Sequence, residues 1–193
     1  MVFGIVVEGE SDSVVYRALI QRIRTDVELV LSRPCQGVAG VRRKFVGWLK
    51  HFQWRSGHQV GKALVMRDSD CDAPRALEDE LGRILDQSGF REKLTLPVHF
   101  YATRCMVETW LLADENAVNT VARQRGKVPS AQAVPDPLEG TTNAKALFLR
   151  MLSQAQLPAD PAVYAEVAAT ADIDRIKQRC PYFQHFIDCV HGC

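Results

Sequence analysis

Two short apolar runs in this chain each stop on acids. Val2 to Val7 runs into Glu8 and Gly9, and Ala63 to Met66 runs through Arg67 into Asp68-Ser69-Asp70, with Pro74 starting a helix soon after. An unbroken apolar run bounded by turn residues reads as a buried strand. After the first, Val14, Val15, Ala18, Leu19 and Ile23 recur at helical spacing, with Ser11 as the expected N-cap, which places Asp12 in the first helical turn. Gly9 is expected to permit a tight turn that folds the helix start back over the strand end. Glu8 and Asp12 then face one crevice, where open α/β sheets take their ligands. In the second stretch, residues two apart in an extended segment point the same way, so Asp68 and Asp70 project together at the carboxyl edge of the sheet. Hard oxygen donors gathered in this manner suit a magnesium ion.

A third stretch, Met106 to Asp114, reads as a short helix following a strand at Leu96 to Tyr101, with Glu108 in its first turn. An acid there also gains from the helix dipole, so Glu108 has a purely structural explanation as well. The run Asp68, Asp70, Asp72 is not an EF-hand loop. Ala73 stands where that loop needs glycine, and Asp79 where it needs glutamate.

At these residues the chain resembles the Toprim fold shared by topoisomerases, primases and OLD-type nucleases, in which the first strand ends in glutamate and a later strand ends in D-x-D. Glu8 and Asp68-Ser69-Asp70 match those motifs, and Val7-Glu8-Gly9-x-x-Asp12 is closer to the OLD branch. The likeness is closer still to an uncharacterised Toprim-like family that shares E-x-W-L-x-A-D, here Glu108 to Asp114, and C-P-x-F, here Cys180 to Phe183. It covers nearly the whole chain.

The resemblance implies phosphodiester hydrolysis assisted by one or two Mg2+ or Mn2+ ions. Glu8 would be a ligand or the general base, Asp12 its support, Asp68 and Asp70 metal carriers, and Glu108 the completing acid. It also implies a controlling ATPase partner, often in defence against phage. Two other classes compete: a catalytically weak or inactive metal-binding module that regulates such an ATPase, and a phosphatase acting on a small molecule. No P-loop is present, nor a serine or cysteine nucleophile elbow, nor a tyrosine that can be given the strand-passing role of a topoisomerase.

The net charge of +1 conceals an uneven distribution. The segment after Glu28 and up to Arg67 holds no acid, and within it Arg42, Arg43, Lys44 and Lys50 form a candidate surface for nucleic acid, with DNA the expected substrate. Val41 to Phe52 reads as an amphipathic helix whose Phe45, Trp48, Leu49 and Phe52 face the core rather than stack on bases. These cations could equally be a solvated face or a docking surface for a protein.

The expected fold is α/β, a Toprim-like, Rossmann-like and mainly parallel sheet flanked by helices. The 193 residues are expected to form a single domain, with an α/β core over 1–127, a loop over 128–142 and a helical extension over 143–193. Helices are expected at Ala144 to Leu152, Pro161 to Ala169 and Tyr182 to Val190. The loop can be a lid or a connector. Nothing resembles a membrane span or a secretion signal, so a cytoplasmic protein is expected. The six cysteines lack a C-x-x-C pair, which suits reduced thiols. His185, Cys189, His191 and Cys193 crowd the carboxyl terminus without matching a standard zinc spacing.

Overall fold

The computed structural model describes residues 1–192. Four strands, β1 (Val2–Val7), β2 (Leu29–Pro34), β3 (Val60–Asp68) and β4 (Val98–Thr103), form one sheet in the order β2-β1-β3-β4, and every pairing is parallel. All four carboxyl ends therefore lie along one edge. The chain steps outward from β1 to β2, returns across β1 to β3, and continues outward on the other side to β4. That reversal puts the switch point between β1 and β3, where the two flanking connections leave in opposite directions and open a crevice.

Helices cover both faces, as parallel strands require. Strand alternation sends Phe3, Ile5, Val7, Leu64, Met66 and Tyr101 into one core, and Val6, Ala63 and Val65 into the other. The second core is closed by α2 (Val38–Trp54), through Val41, Phe45, Leu49 and Phe52, and by α3 (Pro74–Gln87), through Leu81 and Leu85. The aromatic stripe of α2 is thus core, as its spacing implies. Gly40 lets α2 start so close to the preceding loop: a Cβ there would stand 1.8 Å from the Cys35 carbonyl oxygen.

The first core is larger because helices from the second half of the chain join α1 (Glu10–Ile23) on that face. They are α4 (Glu108–Leu111), α5 (Glu115–Gln124), α6 (Ala144–Gln154), α7 (Pro161–Thr170), α8 (Ile173–Arg179) and α9 (Phe183–His191). The residues between α5 and α6 carry no helix or strand, but they are fastened down. Leu138 is buried, Ala131 N–H donates to Asn119 Oδ1 (2.9 Å), and Glu139 accepts from Tyr182 N–H (2.7 Å).

Several local expectations are corrected. β2 carries no strong strand pattern, since Leu29-Val30-Leu31 runs straight into Ser-Arg-Pro; as an edge strand it is only partly buried. β4 begins at Val98 rather than Leu96. The N-cap of α1 is Gly9, not Ser11, and Gly9 is extended at φ −138°, a conformation open to any residue. The turn instead rests on the Gly9 N–H, which donates to Asp12 Oδ2 at 2.8 Å. Cys71 and Cys105 form a disulfide across 34 residues, because they follow the neighbouring strand ends of β3 and β4. Among the described residues, no helix is long and apolar enough to cross a membrane.

Candidate functional site

Above the switch point, a cleft of about 280 Å³ is lined by Glu8, Asp12, Asp68, Asp70 and Glu108, together with Gly9, Gly37, Met106 and Lys145. All five acids singled out from sequence meet there. Glu8 follows β1 and Asp68 ends β3, and the two are in direct contact, Asp68 N–H donating to Glu8 Oε1 at 3.0 Å. Asp12 arrives from the first turn of α1. Asp70 follows a different route from the expected alternation: it stands beyond the strand in a left-handed turn at φ 50°, which brings its side chain back to the cleft. Glu108 opens α4 and is 3% exposed, too deep for helix-dipole stabilisation alone to explain it.

The electrostatics of this cleft are costly. Burial is the main cause that raises the pKa values of Glu8, Asp12, Asp68 and Glu108, and it carries Asp68 well above the usual carboxylate range. Mutual repulsion adds to this, for Asp68 from Asp12, Glu108, Glu8 and Asp70. Partial relief comes from backbone N–H donors to Glu8 and Asp12 and from the Arg67 guanidinium, 4.0 Å from Glu8. Arg67 is itself drawn away by Glu80 at 3.3 Å, and Glu80 also holds Arg42 at 2.8 Å.

Two lining or flanking residues were not singled out from sequence. Lys145, exposed in the first turn of α6, favours the ionised forms of Asp12 and Glu108. A cation in the first turn opposes the helix dipole, and that local misfit was the one signal that could have found it. The Tyr164 hydroxyl, on α7, reaches the Glu108 carboxylate; burial of Tyr164 raises its pKa beyond the usual tyrosine range. Gly37 brings the amino end of α2 to the same cleft, its N–H donating to the Glu8 carbonyl at 2.9 Å. The first turn of α2 has no acid and no side-chain cap, so its positive dipole end is left for an anion.

Carboxylate oxygens in this number are the donor set of Mg2+ or Mn2+ rather than of a soft metal. Among the described residues, no three His, Cys, Asp or Glu side chains enclose an ion as they are oriented. Glu8 and Asp12 are turned toward backbone amides, an arrangement that relieves repulsion between acids. The His185, Cys189 and His191 corner also presents no such group. His185 instead faces Glu78 at 3.2 Å, and Cys193 lies outside the described residues.

The four basic residues proposed for nucleic acid are divided in their surroundings. Arg42 pairs with Glu80, Lys44 donates to the Cys35 carbonyl (3.3 Å), Lys50 lies over the Phe90 ring, and Arg43 is exposed, donating to the Ala39 carbonyl within its own helix. A larger groove of about 530 Å³, between α1 and α7, is lined in part by Val14, Ala18, Ala165 and Ala169. It gathers no set of titratable groups like that of the smaller acidic cleft, which is therefore the candidate site.

Compared with known protein families, residues 7–191 match the model described as "Domain of unknown function (DUF4276)". No curated protein and no solved structure matches the chain.

Proposed function

Because the chain belongs to the DUF4276 family, whose description assigns no activity, the function must be argued from the cleft, and we propose a Toprim-type, Mg2+- or Mn2+-dependent phosphodiester hydrolase acting on nucleic acid, with DNA the expected substrate. One observation carries this reading: five acids from separate parts of the chain line one cleft at the switch point, and in four of them, Glu8, Asp12, Asp68 and Glu108, burial raises the pKa with too little positive charge nearby to balance it. Folding alone gains nothing from such an arrangement, and a divalent cation would relieve it.

Asp68, Asp70, Asp12 and Glu108 would hold the ion or ions, with Glu8 as a further ligand or as the base that takes the proton from water. The cation supplies charge neutralisation and an activated water for in-line displacement. Lys145, beside Asp12 and Glu108, would bind a non-bridging phosphate oxygen, and the amino end of α2 would orient the same anion. Tyr164 would hold the Glu108 carboxylate in place. A phosphodiester on a long polymer is the substrate class this reading takes, since basic residues lie on α2, whose amino end reaches the cleft at Gly37. Arg43 and its neighbours on α2 would contact the backbone beyond the cleft. A partner ATPase, in a defence setting, is part of the same proposal.

A second reading is a catalytically weak or inactive module that regulates an ATPase, and it fits acids that do not enclose an ion as they are oriented. Supercoiled plasmid incubated with Mn2+ and the protein, beside Glu8→Ala and Asp68→Ala, separates the two. Metal-dependent nicking lost in both variants supports the hydrolase. Metal binding without nicking, even with the partner ATPase present, supports the module. Hydrolysis of small phosphate esters but not plasmid would mean a phosphatase.

A further inference from the structure

The turn that carries Asp68 and Asp70 is clasped to the loop after β4 by backbone and by covalent bonds. Ser69 N–H donates to the carbonyls of Thr103 and Cys105, each at 3.0 Å. Asp70 N–H donates to the Cys105 carbonyl at 3.0 Å, and Cys105 N–H donates back to Ser69 Oγ at 2.9 Å. Cys71, the next residue, is disulfide-bonded to Cys105.

Three non-glycine residues of this clasp hold left-handed backbone, Asp70 at φ 50°, Cys71 at φ 69° and Cys105 at φ 64°. Such conformations are disfavoured for residues with a Cβ and persist where their surroundings over-determine them. Here the surroundings are the cross-link and four hydrogen bonds. Asp70 reaches the cleft only by way of its left-handed turn.

We propose that thiol–disulfide exchange at Cys71 and Cys105 is a redox switch on the acidic cleft: the oxidised pair holds the Asp68-Ser69-Asp70 turn in its cation-binding form, and reduction releases it. The proposal rests on reading the acids as metal ligands. Cys71 is partly exposed and Cys105 fully buried, so a cellular or added dithiol meets the Cys71 sulfur first. Its thiolate attacks Cys71 Sγ, breaking the S–S bond and releasing Cys105 as the thiol. The second thiol of the reductant then displaces Cys71 from the mixed disulfide. Two electrons and two protons pass to the protein, and the reductant closes into its own disulfide.

The test uses the full chain in oxidised form, in a form reduced by dithiothreitol and desalted without oxygen, and as Cys71→Ser/Cys105→Ser. Peptide mapping should recover a Cys71–Cys105 cross-linked peptide from the oxidised form. Amide hydrogen exchange without metal should be faster at Ser69, Asp70 and Cys105 after reduction and in the double variant, while α1 and β1 stay unchanged. Calorimetric titration should show Mn2+ binding weakened roughly tenfold by reduction, an ordinary coupling between two sites, with the double variant indifferent to reductant. No cross-linked peptide, or equal exchange in both redox forms, would overturn the switch whatever the metal does. Faster exchange with no Mn2+ binding by the oxidised form would overturn the metal reading and leave only a redox-sensitive turn, sinking the proposal as stated. Equal Mn2+ affinity in both forms would leave the metal reading standing and overturn the switch.

Discussion

Two clusters of carboxylates lie in this molecule, and the folded chain treats them in opposite ways. Beside α5, Asp114 and Glu115 share Arg175, at 3.1 Å and 2.5 Å, and Asp114 also caps α5 and accepts from Asp172 N–H at 2.9 Å. There burial is the largest single influence on Glu115 and raises its pKa, but the hydrogen bonds from Arg175, a backbone N–H and the charges of Arg175 and Arg179 together outweigh it, and the pKa is lowered. At the switch point, burial raises the pKa values of four acids, and the nearest guanidinium, Arg67, is shared with Glu80. Arg175 balances the acids that serve architecture here; under the proposed function, the acids left short of positive charge in the cleft take their balancing cation from outside.

That contrast can be broken at several points. The largest expected effect is on turnover: Asp68→Asn should lower Mn2+-dependent plasmid nicking on the order of 1,000-fold, about 4 kcal/mol of transition-state stabilisation. Arg175→Ala should leave the activity per folded molecule unchanged. Lys145→Ala should reduce nicking by roughly 100-fold, the scale of losing one preorganised partner of the reacting phosphate. It should leave Mn2+ affinity equal or slightly tighter, since a competing cation is gone.

Stability should separate the clusters in the other direction. Arg175→Ala leaves the buried Asp114 with only its backbone N–H partners and should cost about 1–3 kcal/mol, a fall of roughly 2–10 °C in melting temperature for a chain of this length. Asp68→Asn should instead raise the metal-free melting temperature by a few degrees, roughly 1 kcal/mol, because it removes a buried, repelled charge.

The smallest effect is in pH dependence, and its sign differs between clusters. Groups with raised pKa bind more protons folded than unfolded, so their contribution to stability is lost as pH rises from the ordinary carboxylate value, about 4, through the raised values. Glu115, with a lowered pKa, contributes stability that is present above its ordinary value and lost as pH falls through the folded one. Melting curves from about pH 2 to 8 should therefore show the Asp68→Asn advantage over the parent growing as pH rises above about 4, and the Glu115→Gln deficit shrinking as pH falls below about 4. Saturating Mn2+ should flatten the first difference and leave the second.

The acids were legible in sequence because each sits at a strand end or in the first turn of a helix, where apolar pattern and acid are adjacent in the chain. Glu8, Asp12 and Asp68 needed only the rule that parallel strands share one functional edge. Asp70 was found by an incorrect route, since alternation along a strand does not govern a left-handed turn. Lys145 and Tyr164 stayed hidden because they come from helices beyond a long connector, and no local pattern says where such helices return. The pairing of Arg42 and Arg67 through Glu80 was equally invisible: it depends on α2 and α3 packing side by side on one face of the sheet. β2 escaped because an edge strand need not be apolar along its length.

The central claim is that the switch-point acids are built around a divalent cation. Calorimetric titration of the oxidised protein with Mn2+, alongside Asp68→Asn and Arg175→Ala, tests it most directly. The account predicts saturable binding that is lost in Asp68→Asn and kept in folded Arg175→Ala; no binding by the parent chain, or binding that survives Asp68→Asn undiminished, would contradict it.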